Sequence, residues 1–443
     1  MTNIFSLWAK IPLFVRIIIA LVLGLTAGLF LNQMLPSDRD QQAANLKEVS
    51  TLILTLLKML ATPLILLAIL NAILKAAVDG KVARKLAFYL LTNTMAAICI
   101  GLLVANVVRP GTWGAPLPAP TAELSTQAAE KKAYNPVEDI ESKIPTNIIK
   151  PLYDDNVIAI IILGLMFGIA LRQVREQQLA KGETGYLAVE NFLDTLFSAV
   201  MIALHWIIQL VPIAVFCVVA SVIGKNGITA FHSLFGFIVA VLLALFLQAC
   251  FYLTRVRLST WVSPLRLLRG GKDALLTAFS TASSTATMPL TYQALKDPAR
   301  VGLRERSASL GALVGSNFNN DGTALYEAMA PLFIAQAIPG LALSFPQQIV
   351  VAFMAVIASV GAAGIPEAGL VTMLLVFKSV NLPVEYVLLL LPVDWFLDRV
   401  RTAINVMGDM TVSCLIDGKT PPEAGEEIGP VAAIAEAEPE GLR

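Results

Sequence analysis

Long apolar runs alternate with short polar breaks along the first part of the chain. The runs lie near 11–31, 50–74, 86–108, 154–172, 190–222 and 229–253. Each approaches or exceeds the roughly 20 residues that cross a hydrocarbon core, so each predicts a transmembrane helix. The run at 190–222 is longer than a bilayer requires and predicts one strongly tilted helix. The first run, flanked by Lys10, is too long for a signal-peptide core and reads as the first span. Within it, Gly24 and Gly28 form a small-xxx-small pair, a candidate close helix contact.

Beyond residue 260 the alternation fails. The stretch Ala274–Leu295 is moderately apolar, but its centre reads Ser280-Thr281-Ala282-Ser283-Ser284-Thr285-Ala286-Thr287. Arg266, Arg269 and Lys272 precede it, and Lys296, Arg300, Arg304 and Arg306 follow. Basic clusters on both flanks put both ends on one side of the membrane. A re-entrant hairpin over about 262–295 satisfies this, its hydroxyl-rich tip resting against protein or a wet cavity. A second interrupted run covers about 345–380. Its middle, Ser359-Val360-Gly361-Ala362-Ala363-Gly364-Ile365-Pro366-Glu367-Ala368-Gly369, breaks any single helix. It predicts a hairpin entering from the opposite side. Two interrupted segments in corresponding places point to a transporter's binding site.

Composition supports the membrane reading. The 443 residues are 56% hydrophobic and 14% charged, with mean hydropathy +0.73. Average soluble chains carry about 25% charge, so an ordinary soluble enzyme, a disordered chain and a secreted disulfide module are excluded. Equal numbers of basic and acidic residues, 32 each, argue against a nucleic-acid partner. Cys99, Cys217, Cys250 and Cys414 share no metal-site spacing and read as buried apolar filler. His205 and His232 are too few for a His-rich metal site. Lys75, Lys81, Arg84, Lys85, Arg172, Arg175, Arg255 and Arg257 fall on one side if the N-terminus is cytoplasmic. The long loop from Arg109 to Lys150 then lies outside, and the Pro-, Ala-, Gly- and Glu-rich end from Pro421 to Arg443 reads as a disordered cytoplasmic tail.

The few charges at membrane depth need a reason. In the last apolar stretch, Asp394, Asp398, Arg401, Asn405 and Asp409 fall within an arc of roughly 80° at helical spacing. An Asp398–Arg401 ladder explains one pair only. The full stripe calls for a ligand, an ion or water. Asn317-Phe318-Asn319-Asn320-Asp321-Gly322-Thr323 interrupts the apolar run 308–338. In a soluble protein it would be a turn. At mid-span it offers the oxygen ligands that a hard cation takes from unwound backbone. Glu327 follows in apolar surroundings, where it can carry a proton or simply hydrogen-bond a neighbour. Tyr89, Thr92 and Asn93 share a turn of the third span, as ligands or as a helix contact.

These residues resemble the dicarboxylate/amino acid:cation symporter family, which includes glutamate transporters and neutral amino acid exchangers. The likeness covers nearly the whole chain. It rests on Ser283-Ser284-Thr285, on Asn319-Asn320-Asp321-Gly322-Thr323, on Ala363-Gly364-Ile365-Pro366 and on Asp394…Asp398…Arg401-Thr402…Asn405…Asp409. The resemblance implies an all-α polytopic membrane protein, with eight transmembrane helices plus two re-entrant helical hairpins. It further implies inverted repeats, a homotrimer and an elevator-type movement. Scaffold helices would occupy 1–80 and 154–224, with an extracellular loop at 109–153. The transport domain would occupy 81–108 and 225–420, and the tail 421–443.

By the same resemblance, Arg401 pairs with the substrate's side-chain carboxylate, Asp398 takes its amino group, and Asn405 with hairpin backbone holds its α-carboxylate. Ser283, Ser284, Thr323, Ile365, Gly369 and Thr402 complete the substrate site, with Asp394 and Arg399 as auxiliary charges. One Na⁺ would use Asp409, Asn405, Gly315 and Asn319. Another would use Tyr89, Thr92, Asn93, Asn319 and Asp321. A third would lie near Asn317, Asn320 and the backbone of Ser359, Val360 and Ala362. Glu327 would carry a proton, and K⁺ is a further candidate ion. Three positions depart from the pattern: Asn320 stands where the family has Met, and Asn317 and Asn93 where Thr or Ser is common. Arg399 replaces the arginine that archaeal members carry at the position of Ala282.

The sequence thus reads as a multi-pass cell-membrane symporter, surrounded by lipid and with both termini cytoplasmic. It would import L-glutamate or L-aspartate with Na⁺ and H⁺ and is not an enzyme. Neutral amino acid or dicarboxylate transport is the alternative within the family. An anion channel is the alternative outside it. An intramembrane hydrolase using Ser283 or Ser284 lacks a placed base.

Overall fold

A computed structural model of the chain describes residues 11, 13–75, 80–114, 116, 147–153, 157–227, 230–361 and 369–422. Most of the expected outer loop and nearly all of the tail fall outside these residues. Among the described residues every regular element is helical. Five stretches among the described residues, Leu234–Ser259 being the most apolar, are long and apolar enough to cross a membrane. Large apolar side chains such as Phe192 and Trp206 stand exposed. An outer surface of this kind needs a non-aqueous neighbour.

One group of helices consists of α1 (Leu13–Asn32), α2 (Pro36–Lys75), α4 (Val157–Lys181), α5 (Gly185–Ile208) and α6 (Val211–Asn226). α1 lies along α6, and α2 contacts α4, α5 and α6. The Gly24/Gly28 pair makes the α1–α6 approach possible. A Cβ at Gly24 would lie 2.9 Å from the Phe216 carbonyl oxygen, and one at Gly28 would lie 2.7 Å from Ile223 Cβ. Gly28→Leu is therefore expected to push α1 off α6 and cost about 1–3 kcal/mol, as overpacking usually does. An unchanged thermal midpoint in detergent would contradict the contact.

Two span boundaries differ from the sequence reading. The expected single tilted helix at 190–222 is two helices, α5 and α6, parted at Gln209 and Leu210. Pro212 has no N–H to give the carbonyl of Ile208, and its ring favours a first-turn position. The second span begins at Pro36, well before residue 50, because polar residues such as Asp38 and Glu48 continue the same helix. Hydropathy registers only its apolar half. A third correction concerns the cysteines. Cys217 and Cys414 are buried, but Cys99 and Cys250 are exposed, and all four are free thiols. On a helix bathed in an apolar phase, an outward cysteine carries no hydrophobic penalty.

The second group is α3 (Gly80–Val108), α7 (Ala230–Ser259) and the interrupted elements. The first hairpin pairs α8 (Pro264–Thr281) with α9 (Ser284–Lys296). Its tip turns at Ala282, which is left-handed (φ 51°), and Ser283 caps α9 by accepting from the Ala286 N–H at 3.1 Å. A broken run follows: Glu305–Ser309, a π-turn at Leu310–Val314 and Gly315–Phe318. Asn319 and Asn320 leave helical geometry before α10 (Asp321–Ala337) begins. The second hairpin pairs α11 (Phe345–Gly361) with α12 (Gly369–Ser379), and its tip, 362–368, lies outside the described residues. Finally α13 (Val387–Asp417) contacts α7, α8, α9 and α10.

Candidate substrate and cation site

The polar stripe of α13 faces inward. Asp394, Arg401, Asn405 and Asp409 are buried, and Asp398 is partly exposed. Arg401 is only 1% exposed. Its Nη2 reaches Asp398 Oδ1 at 2.8 Å and Asp394 Oδ1 at 3.0 Å. The guanidinium lies 4.0 Å from the Tyr326 ring centroid, a cation–π arrangement. Among the described residues, its buried Nε and Nη1 have no hydrogen-bond partner. A guanidinium offers five N–H donors in a fork suited to a carboxylate. The second arm of hairpin two starts against it, since a Cβ at Gly369 would lie 3.2 Å from Nη2. Two carboxylates thus surround one guanidinium, leaving the local charge negative.

The broken run supplies the floor of the site. Asn405 Oδ1 accepts the Gly322 N–H at 2.8 Å, while its Nδ2 donates to Asn320 Oδ1 and Thr323 Oγ1, each at 3.3 Å. Asn320 Nδ2 in turn donates to the Ser359 carbonyl at 3.0 Å, tying the break to hairpin two. Asn319 Nδ2 donates to the Asn405 carbonyl and to Asp409 Oδ1, both at 3.0 Å. Gly315 presses on the same carboxylate; a Cβ there would sit 2.6 Å from Asp409 Oδ1. This assembles Gly315, Asn319, Asn405 and Asp409, the group expected around one cation.

Both hairpins dock on this core. Ser284 Oγ donates to the Ser316 carbonyl at 3.3 Å. Arg399 Nη1 donates to the Phe279 carbonyl at 3.1 Å, and also to that of Ser280, so it points to the first hairpin. Ser283 spends its hydroxyl oxygen on the cap of α9. Thr402 is buried on α13. Glu327 is fully buried, and Thr372 of hairpin two donates its hydroxyl to Oε1. Among the described residues Glu327 Oε2 has no partner. The side chains of Asn317 and Val360, and all of Ala362 and Ile365, lie outside the described set.

The third-span group is arranged differently. Thr92 and Asn93 both accept hydrogen bonds from Arg255 Nη1. Asp321 accepts from Thr94 Oγ1 at 2.6 Å and from Tyr252 OH. Sequence reasoning singled out neither Thr94, Tyr252, Thr372 and Tyr326 nor any site role for Arg255. One signal was available: Gln248, Tyr252 and Arg255 repeat at helical spacing in an otherwise apolar span. Thr372 and Tyr326 carry no such pattern.

Comparison with known proteins identifies the family. A C4-dicarboxylate transport protein of Rhizobium leguminosarum bv. trifolii is 32% identical over 414 residues, covering 92% of this chain and 90% of its own. Excitatory amino acid transporter 3 of Mus musculus is 31% identical over 408 residues, covering 81% and 76%. An excitatory amino acid transporter of Caenorhabditis elegans is 30% identical over 455 residues, covering 90% and 85%. Residues 13–419 match the sodium:dicarboxylate symporter family, and the chain belongs to that family.

Proposed function

We propose that the chain is a secondary active symporter of the cell membrane that imports L-glutamate or L-aspartate with Na⁺ and H⁺. The observation that carries this reading is the charge balance around Arg401. Asp394 and Asp398 both pair with it, and two of its nitrogens are buried without a partner. A substrate carboxylate would satisfy the idle donors. That carboxylate, the third beside Arg401, adds negative charge, which a substrate ammonium at Asp398 offsets. A plain dicarboxylate lacks that ammonium and would need further cations. The Rhizobium relative, a C4-dicarboxylate transport protein, keeps dicarboxylate transport as the second reading.

In this mechanism Asn405, Thr323 and Thr402 line the substrate together with the hairpin tips at Ser283, Ser284, Ile365 and Gly369. The tips act as gates, with Arg399 holding the first from α13. Na⁺ is cargo. Asp409, Asn405, Asn319 and Gly315 form its best-assembled site, with the Ser359–Ala362 backbone beside Asn317 and Asn320 as a second. The group α3, α7–α13 moves as an elevator against α1, α2 and α4–α6 within a homotrimer, and both termini are cytoplasmic. Reconstituted uptake of labelled glutamate, aspartate, succinate and serine tests the reading, with Na⁺, H⁺ and K⁺ gradients varied separately. Accumulation of aspartate driven by a Na⁺ gradient is expected. Flux that never exceeds equilibrium would instead mark a channel.

Glu327 is proposed as the proton carrier because its carboxyl is enclosed, touches hairpin two through Thr372 and keeps one idle oxygen. Glu327→Gln keeps the Thr372 contact but cannot take up a proton. It is expected to preserve substrate exchange and to flatten the pH dependence of net uptake. A variant whose net uptake still follows pH as the wild type does would remove Glu327 from the coupling scheme.

A further inference from the structure

We infer that Arg255 is a tethered cation that stands in place of a transported Na⁺ in the pocket between α3 and α7. The inference uses the proposed symport only in taking cotransported cations to bind in this core. The resemblance assigned Tyr89, Thr92, Asn93, Asn319 and Asp321 to one sodium ion. In the structure Arg255 Nη1 donates to Thr92 Oγ1 at 3.1 Å and to Asn93 Oδ1. Its guanidinium also sits 5.6 Å from the Tyr89 ring centroid. Three of the five side chains are therefore engaged by one fixed positive group. A guanidinium has donors only, so each oxygen it engages already serves a cation.

Asp321 is no freer. One carboxylate oxygen takes the Thr94 hydroxyl and the other the Tyr252 hydroxyl, at 2.6 and 2.5 Å. Asn319 gives its amide N–H groups to Asn405 and Asp409, so the one buried oxygen of the group left without a hydrogen-bond partner among the described residues is its Oδ1, too little by itself to replace a sodium hydration shell. A sodium ion entering here would have to evict the guanidinium or lie beside it, like charge against like charge in a medium that screens poorly. Asn93 suits this arrangement. Its amide oxygen projects further than a Thr or Ser hydroxyl, and a carbonyl oxygen accepts without competing as a donor. An arginine cannot be released, so the pocket keeps its positive charge through the cycle. The transported cation count falls by one relative to a chain that leaves this pocket open.

The test uses the full chain, purified and reconstituted, with labelled L-aspartate and labelled succinate as probes. The logarithm of apparent substrate affinity is followed against the logarithm of Na⁺ concentration at constant ionic strength. Arg255→Met opens the pocket, and its slope is expected to exceed that of the wild type by about one, the linkage of one extra ion. Equal slopes in the wild type and Arg255→Met would overturn the inference. Where Arg255→Met does not fold, Thr92→Val decides. An unchanged slope supports Arg255 as the occupant, and a slope lower by about one shows that Thr92 ligates transported sodium and overturns it. A wild type with no sodium slope, beside an Arg255→Met variant that gains one, would refute the proposed sodium coupling and leave this inference standing.

Discussion

Arg401→Cys is expected to abolish uptake of aspartate and glutamate while sparing whatever neutral amino acid uptake the chain supports. The expected loss is large for two reasons. The guanidinium is the buried cation placed to receive a substrate carboxylate, and its Nε and Nη1 are idle until one arrives. It also pairs with Asp394 and Asp398 at 3.0 and 2.8 Å, the one positive charge they share. Removing one partner from a buried ionic group costs about 3–5 kcal/mol, because the other charges stay behind uncompensated. A loss of that size in binding is roughly 10²–10⁴-fold in affinity. The cation–π contact with Tyr326 is lost as well. Cysteine is small and neutral, so the pocket widens and keeps its two acids, which suits a substrate with an ammonium and no side-chain carboxylate. Uptake of labelled aspartate and serine by the reconstituted variant is the measurement. Aspartate uptake that survives at wild-type affinity would show that the substrate carboxylate binds elsewhere.

The site was more legible in the sequence than the path of the chain around it. Charged residues inside an apolar helix are so costly that four of them, with one amide, on one face leave few readings. The arc through Asp394, Asp398, Arg401, Asn405 and Asp409 therefore survives as an inward stripe along α13, buried except at the partly exposed Asp398. The Asn319–Asn320 break and the hairpin turn at Ala282 were legible for the same reason, since polar or flexible residues at mid-span must serve something. The division between α5 and α6 was hidden because both sides are uniformly apolar and only Pro212 marks the joint. Pairings between distant segments were hidden too. Periodicity places Thr372 and Glu327, or Arg255 and Asn93, on their own helices. It does not say which helix comes to lie beside which. The third-span residues were assigned by resemblance, and there the structure brings an unforeseen guanidinium into the group.

Asp409→Asn is expected to remove one Na⁺ from the coupled set and to do so with a thermal signature. Asp409 is 1% exposed. Among the described residues it has no ionic partner, unlike Asp394 and Asp398, which share Arg401. Its neighbours are the Asn319 amide at 3.0 Å and the close backbone of Gly315. One amide hydrogen bond does not compensate a carboxylate in a dry interior. A small monovalent cation would, using the Asp409 carboxylate together with nearby carbonyl and amide oxygens. Sodium should then stabilise the wild type by mass action, by about 2.7 kcal/mol at a hundredfold excess over its dissociation constant. Asparagine removes both the charge and the need for the ion. The variant should unfold at a higher temperature than the wild type in sodium-free buffer and gain less from added Na⁺. In transport the slope of apparent aspartate affinity against Na⁺ concentration, both as logarithms, should fall by about one, the loss of one linked ion. Thermal scans with and without Na⁺ separate this from simple misfolding, which would lower the midpoint in both buffers. A variant that keeps the full sodium-dependent rise of the wild type would place the ion away from Asp409.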